Sequence, residues 1–285
     1  MRTTTCILLP LCGLLALPIS GRAAAITAKG SDSMVILAQK WAEVYMTRRP
    51  GVQIQVTGGG SGTGFAALQN RTTDLCNASR PIKAREILAC IRSFGARPRE
   101  YRVCLDGVSV YVNRRNPVNE LSLAQIGAIF RGQIDNWREV GGPDQPIVIY
   151  GRENSSGTYE FFKRHVLEGH DYATTAQSMP GTAAVLQAIA RDHSGIGYGG
   201  AAYGRDGKTL KIRLPGQTVG IAPTRENVTD GRYPISRHLY VYLDPALDRG
   251  PIADFMRWIL GAEGQAIVGE VGYYPLPDTE MRLLP

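Results

Sequence analysis

Three stretches of this chain place small residues and hydroxyls where a strand gives way to a helix. They are Gly30-Ser31-Asp32-Ser33-Met34, Gly58-Gly59-Gly60-Ser61-Gly62-Thr63-Gly64 and Arg152-Glu153-Asn154-Ser155-Ser156-Gly157-Thr158. The first turn of a helix holds N–H groups with no partner inside the helix and a partial positive charge, so it attracts anions. Glycines let the backbone approach closely and form concave rows of N–H groups. Serine and threonine add donors without adding charge. Arg152 adds a planar fork that matches two oxygens of a tetrahedral anion. Three such starts and one guanidinium, meeting at a point, would replace the hydration an oxyanion loses in a closed cleft.

Each stretch alone has a plainer reading. Ser31 and Ser33 serve as helix caps, and residues 58–64 serve as a turn. The glycine loop fits neither GxGxxG nor GxxxxGK, so nucleotide binding is a poor fit. Thr63 stands where the second glycine of GxSxG belongs. A serine hydrolase or a phosphatase needs a base and its orienter beside Ser61 or Ser156, and the sequence offers no such pair. His165, His170, His193 and His238 are scattered, and Trp41, Trp137 and Trp258 read as packing residues. No Cys/His spacing points to a metal, and no cofactor is implied.

The elements that carry these stretches alternate. A strand over residues 26–29 precedes a helix in which Met34, Leu37, Ala38, Trp41 and Tyr45 recur at helical spacing until Pro50-Gly51. Val52, Ile54 and Val56 alternate as a half-buried strand. A helix is predicted over 65–71, a strand over 74–79 and a helix opening at Pro81. Residues 103–113 form one extended run, broken at Asp106-Gly107. A helix over 121–130 with Ser122 as cap, a strand over 147–150 and a helix starting at Ser156 follow. Then come a helix over 181–191, strands over 195–200 and 239–243, and a last helix with Pro251 in its first turn. Repeated strand–helix alternation predicts α/β sheets, and the two long extended runs suit two lobes joined without a flexible linker.

Residues 1–25 have the layout of a secretory signal peptide. Arg2 is followed by an apolar stretch from Cys6 to Pro18, and Ala23-Ala24-Ala25 offers a cleavage site before Ile26. The apolar stretch is short for a spanning helix of about 20 residues. The formal charge of +7 becomes 30 − 25 = +5 once Arg2 and Arg22 leave. That balance attracts anions without specifying nucleic acid. The Arg-rich segment 92–102 reads as a solvated loop. Cys76, Cys90 and Cys104 remain after cleavage. Cys90 and Cys104 flank a loop and are placed to pair, while Cys76 reads as a buried free thiol.

The chain resembles the phosphate-binding proteins of bacterial phosphate ABC transporters over nearly its whole mature length. The resemblance rests on GSDSM at Gly30, TGGGSGTG at Thr57, DLCNASRPI at Asp74, LDGVSVYVN at Leu105 and GRENSSGT at Gly151. It implies a two-lobed periplasmic-binding-protein fold. Each lobe is a doubly wound mixed sheet flanked by helices, and a two-strand hinge joins them. The lobes are expected over 26–108 with 238–285, and over 109–237. The implied anion ligands are Ser33, the Met34 backbone N–H, Ser61, Arg152, Ser156, Gly157 and Thr158, with Ser31, Gly60 and Gly62 supporting the loops. Well-known members end a GASD segment in an Asp that accepts the hydrogen of phosphate and so rejects sulfate. Here the segment reads Asn77-Ala78-Ser79-Arg80, and Arg80 is expected either to bind the anion or to pair with an acid such as Glu153. The implied partners are inorganic phosphate and an inner-membrane permease with its ATPase, with the protein a monomer in the periplasm or outside the cell. Another oxyanion such as sulfate, or a scavenging or adhesion role without a transporter, stays open.

Overall fold

The computed structural model describes residues 24–281. The predicted leader up to residue 23 lies outside the described residues. In chain order the strands and α-helices are β1 (Ala24–Gly30), α1 (Val35–Arg48), β2 (Val52–Thr57), α2 (Ser61–Gln69), β3 (Leu75–Ala78), α3 (Ala84–Phe94), β4 (Arg99–Gly107) and β5 (Ser109–Val112). There follow β6 (Glu120–Ser122), α4 (Leu123–Phe130), β7 (Val148–Arg152), α5 (Gly157–His165), β8 (Gln177–Met179), α6 (Thr182–Arg191) and β9 (Gly195–Gly199). The chain closes with β10 (Lys208–Thr209), β11 (Lys211–Arg213), α7 (Arg225–Thr229), β12 (Ser236–Leu243), α8 (Gly250–Leu260), α9 (Ala262–Val271) and α10 (Asp278–Met281).

Two five-stranded mixed sheets organise these elements. The first runs β2-β1-β3-β12-β4 and the second β10-β5-β9-β7-β8. In the first, β1 is parallel to β2 and β3, while β12 is antiparallel to β3 and β4. In the second, β7 is parallel to β8 and β9, and β5 is antiparallel to β9 and β10. Parallel strands need helical crossovers, which cover the sheet faces and bury them. Trp41, Tyr45, Val103, Val241 and Phe255 fill one core. Phe130, Trp137, Phe162 and Tyr198 fill the other, where the Phe162 and Tyr198 rings stack at 4.0 Å. Trp41 and Trp137 are packing residues, as their sequence context predicts, and both indoles donate to backbone carbonyls.

The chain passes between the sheets side by side. β4 ends at Gly107 in the first sheet and β5 starts at Ser109 in the second. The return runs through Ile235 into β12, and the Val108 N–H donates to the Ile235 carbonyl at 3.0 Å. Two hydrogen-bonded strands therefore form the hinge, and each sheet with its helices is one lobe. Ends of β1, β3 and β7 face the cleft between the lobes, and the helices that follow β2 and β7 start there.

Several boundaries differ from the sequence reading, and two of them bear on the site. α2 starts at Ser61, so half of the glycine stretch is its first turn. α3 starts at Ala84 rather than at Pro81. Glu86 fixes that start by accepting from the Lys83 N–H at 2.8 Å.

The expected Cys90–Cys104 pairing is not found. Cys76, Cys90 and Cys104 are all free and buried. Cys90 packs beside Cys76, Phe65 and Tyr242, whereas Cys104 belongs to the core under α1. Burial pushes the Cys90 thiol up to about 11 and the other two well above the usual thiol range. Thiolate is the reactive form, so native thiols should resist labelling near neutral pH. A thiol-specific reagent should count three thiols in residues 26–285 unfolded without reductant, and close to none in the native protein. A count of one after unfolding would mean that two of them are bridged.

Candidate anion site between the lobes

Each strand end delivers a hydroxyl to one place. β1 stops at Gly30, and a short 3-10 turn over Asp32–Met34 follows. Ser33 Oγ from this turn lies 2.8 Å from Thr158 Oγ1 in the other lobe. Ser61 opens α2 after Gly60, whose φ of +91° favours glycine. Ser61 Oγ accepts from the Ser79 N–H at 3.0 Å and lies 3.3 Å from Ser79 Oγ. Ser79, just past β3, reaches Thr158 Oγ1 at 3.5 Å. Four hydroxyls from four chain segments thus form one continuous cluster, and all four residues are buried.

The start of α5 supplies the opposite wall. Ser156 is its N-cap, and its hydroxyl accepts from the Thr158 and Tyr159 N–H groups at 3.2 and 3.3 Å. Gly157 follows, and a Cβ there would meet Ser79 Oγ at 2.6 Å and Ser61 Oγ closer still. The lobes also meet where Gly62 N–H donates to the Ser155 carbonyl at 2.9 Å.

Arg152, at the end of β7, is almost fully buried. Its Nη2 donates to Asp32 Oδ2 at 3.0 Å across the cleft, and its Nη1 donates to the Thr182 hydroxyl at 2.8 Å. Asp32 precedes Ser33, and its other oxygen accepts from the Gly59 N–H at 2.8 Å. The guanidinium therefore sits against both glycine-rich starts of the first lobe. Burial lowers its pKa and Asp32 pushes back, but a guanidinium keeps its charge in a protein. Arg152 Nε is buried without a hydrogen-bond partner, as is Ser31 Oγ. Buried unpaired donors of this kind are uncommon and mark a place for an acceptor.

A model of the PBP superfamily domain matches residues 18–263. The Phosphate-binding protein PstS of Pseudomonas aeruginosa is 32% identical over 274 residues, covering 90% of this chain and 85% of that protein. The chain belongs to the PBP superfamily, within the family of phosphate-binding proteins. Protein SphX of Synechococcus elongatus is likewise 32% identical over 269 residues, covering 90% of this chain and 79% of that protein. A Clostridium perfringens structure described as a phosphate ABC transporter substrate-binding protein with bound phosphate superposes with a TM-score of 0.80. It is 28% identical and covers 89% of this chain and all of that one. An ABC-type phosphate transport receptor from Vibrio cholerae gives 0.69 at 25% identity, covering 88% of this chain and all of that one.

Not every residue expected from the family's motifs joins the cluster in this member of the phosphate-binding family. The Met34 N–H is used inside its own turn, donating to the Ser31 carbonyl at 3.0 Å, and the Met34 side chain is core. Arg80 turns away to acids. It donates to both Glu86 oxygens at 2.8 and 2.6 Å, its Nε faces Glu160 Oε2 at 3.1 Å, and it stacks over Phe65. Burial alone would pull its pKa down, but the bonds to Glu86 outweigh this and raise it. The expected partner Glu153 is not involved, because Glu86, in the first turn of α3, faces back toward Arg80. Glu160 also bridges to Lys83 at 2.5 Å, so this ion network ties the lobes together at one cleft mouth.

The sequence reading missed Ser79, Asp32, Asp106 and Arg237. Ser79 follows β3 with no glycine or helix start beside it, so local composition does not mark it. Arg237 is an isolated arginine in an apolar strand, and no local motif marks it.

Proposed function

We propose that this protein binds inorganic phosphate between its lobes and delivers it to an ABC permease driven by an ATPase. The observation that carries the reading is the meeting of Ser33, Ser61, Ser79 and Thr158 beside the helix starts of α2 and α5 and the buried Arg152. Ser61, Ser156, Gly157, Thr158 and Arg152 hold the anion, with Ser31, Gly60 and Gly62 shaping the loops. Residues 26–108 with 238–285 act as one lobe and 109–237 as the other. A ligand that touches both lobes favours the closed state, so closure follows from its differential affinity. The protein is a binder and not a catalyst, because the cluster hydroxyls face other hydroxyls, backbone groups and arginines. It acts as a monomer after export and removal of the leader, in the periplasm or outside the cell. Among the described residues no helix is long and apolar enough to cross a membrane.

The arginine at position 80 favours a second ligand, sulfate, because the carboxylate that would repel it is missing there. Calorimetry on residues 26–285 with phosphate, sulfate, arsenate and molybdate separates the readings. Phosphate should saturate one site and raise the melting temperature, by about 2.7 kcal/mol of stabilisation at a hundredfold excess over Kd. Tight sulfate binding with no heat from phosphate would overturn the assignment.

A further inference from the structure

Arg237 stands opposite Asp106 in the β12–β4 register, where both strands leave the hinge. Both side chains are buried. Arg237 Nε and Nη2 donate to Asp106 Oδ2 at 3.0 and 2.8 Å. Its Nη1 donates to the Ser79 carbonyl at 2.8 Å, and its Nη2 also donates to the Thr158 hydroxyl at 2.9 Å. Asp106 Oδ1 accepts from the Ala201 N–H at 2.9 Å. One ion pair therefore joins both hinge strands, both lobes and two members of the hydroxyl cluster.

A pin for the hinge needs only Asp106 and the Ser79 carbonyl. The bond to Thr158 adds something else. A hydroxyl that accepts from a guanidinium must turn its own hydrogen elsewhere, and it becomes a better donor. The nearest polar atoms are the Ser33 and Ser79 hydroxyls, so that hydrogen points into the anion cluster. The charges beside the site are balanced in pairs, Arg152 with Asp32 and Arg237 with Asp106. Asp32 and Asp106, the carboxylates beside the site, each already accept from a guanidinium and a backbone N–H. Arg80 is neutralised by its own acids.

We propose that Arg237 is a positioning residue for the anion: it fixes Thr158 as a donor, and the guanidinium edge that faces Thr158 adds local positive potential that favours a dianion. Asp106 holds it in place and tempers that potential. The proposal rests on phosphate being the ligand.

The test is phosphate titration on the acid and alkaline sides of its second ionisation, in the wild type, Arg237→Gln, Asp106→Asn and Arg138→Gln. Arg237→Gln should weaken binding about 100-fold on the alkaline side, and much less on the acid side, where the anion carries one charge. Asp106→Asn leaves the cation with less counter-charge, so alkaline-side affinity should hold or rise. Arg138→Gln removes only an exposed ion pair with Asp144 and should stay within about threefold on both sides. Arg237→Gln binding within threefold of wild type, or equal losses in Arg237→Gln and Asp106→Asn on both sides, would overturn the proposal in favour of a hinge pin. If Arg237→Gln does not fold, Arg237→Lys keeps the charge and should keep the preference for the dianion; a lost preference overturns the proposal. A wild type that binds no phosphate at either pH sinks the ligand assignment itself, which separates that failure from this one.

Discussion

Replacing Arg152 with alanine should lower phosphate affinity by about three orders of magnitude. Truncating one partner of a buried, hydrogen-bonded charge pair costs about 2–5 kcal/mol, and a thousandfold change is about 4 kcal/mol. Two losses combine here. The anion loses a charge-assisted fork in a site where water cannot replace it. Asp32 is left across the cleft without its cation, and its negative charge then faces the incoming anion. Arg152→Lys keeps the charge but not the planar fork, so it should recover only part of the affinity. Calorimetric titration with phosphate checks both variants. Removing both partners, as Arg152→Ala with Asp32→Ala, should cost less than Arg152→Ala alone, because the uncompensated carboxylate is gone. A double variant weaker than the single one would show that Asp32 helps the anion directly.

Gly157→Ala should be nearly as damaging although it adds one methyl group. That carbon would stand 2.6 Å from Ser79 Oγ and nearer to Ser61 Oγ, on the seam between the lobes. Neither serine can yield freely, since Ser61 Oγ already accepts from the Ser79 backbone. The lobes would have to part, and Thr158 would leave Ser33. Phosphate affinity should drop by at least about 100-fold, in the range that misplacing bound groups by an ångström can cause. Unliganded stability should change little, because alanine suits a helix better than glycine does and an open cleft has room. X-ray scattering gives an independent reading: wild type should contract on adding phosphate and Gly157→Ala should not. Contraction of the variant equal to wild type would mean that the seam tolerates the methyl.

Much of the architecture was readable from local pattern. Strand and helix alternation set the α/β class, and Ser122, Ser156 and Pro251 mark helix starts where they were expected. Ser61, Thr158 and Arg152 could be picked out because each sits at a strand end or helix start with a recognisable composition. The glycine stretch misled because glycine disfavours helices. Its second half is helical nonetheless, since a Cβ at Gly64 would collide with the backbone of Gly30, so close approach of α2 to β1 decides the residue. Arg80 stands where well-known members carry the Asp of the GASD segment, which suggests either an anion contact or an acid partner; it takes acid partners, but not Glu153. Its true partner, Glu86, was hidden in a helix whose start was placed three residues early.

Arg237 and Asp106 are 131 residues apart, as are no two groups of any short motif. Only the antiparallel pairing of β12 with β4 brings them together, and that pairing depends on the chain crossing the hinge twice. The Asp32–Arg152 pair is similar, since it spans 120 residues and exists only when the lobes meet. Contacts across a cleft are set by how two finished lobes dock, and periodicity within one segment carries no record of that.

Arsenate has the shape and charge of phosphate and scatters X-rays anomalously, so crystals grown with it locate the anion without ambiguity. One arsenic peak is expected between the lobes, with its oxygens in hydrogen-bond reach of Ser33, Ser61 and Thr158 and of the Arg152 guanidinium. An arsenic peak outside this cleft, or one held by a single lobe with Arg152 and Thr158 out of reach, would contradict the account.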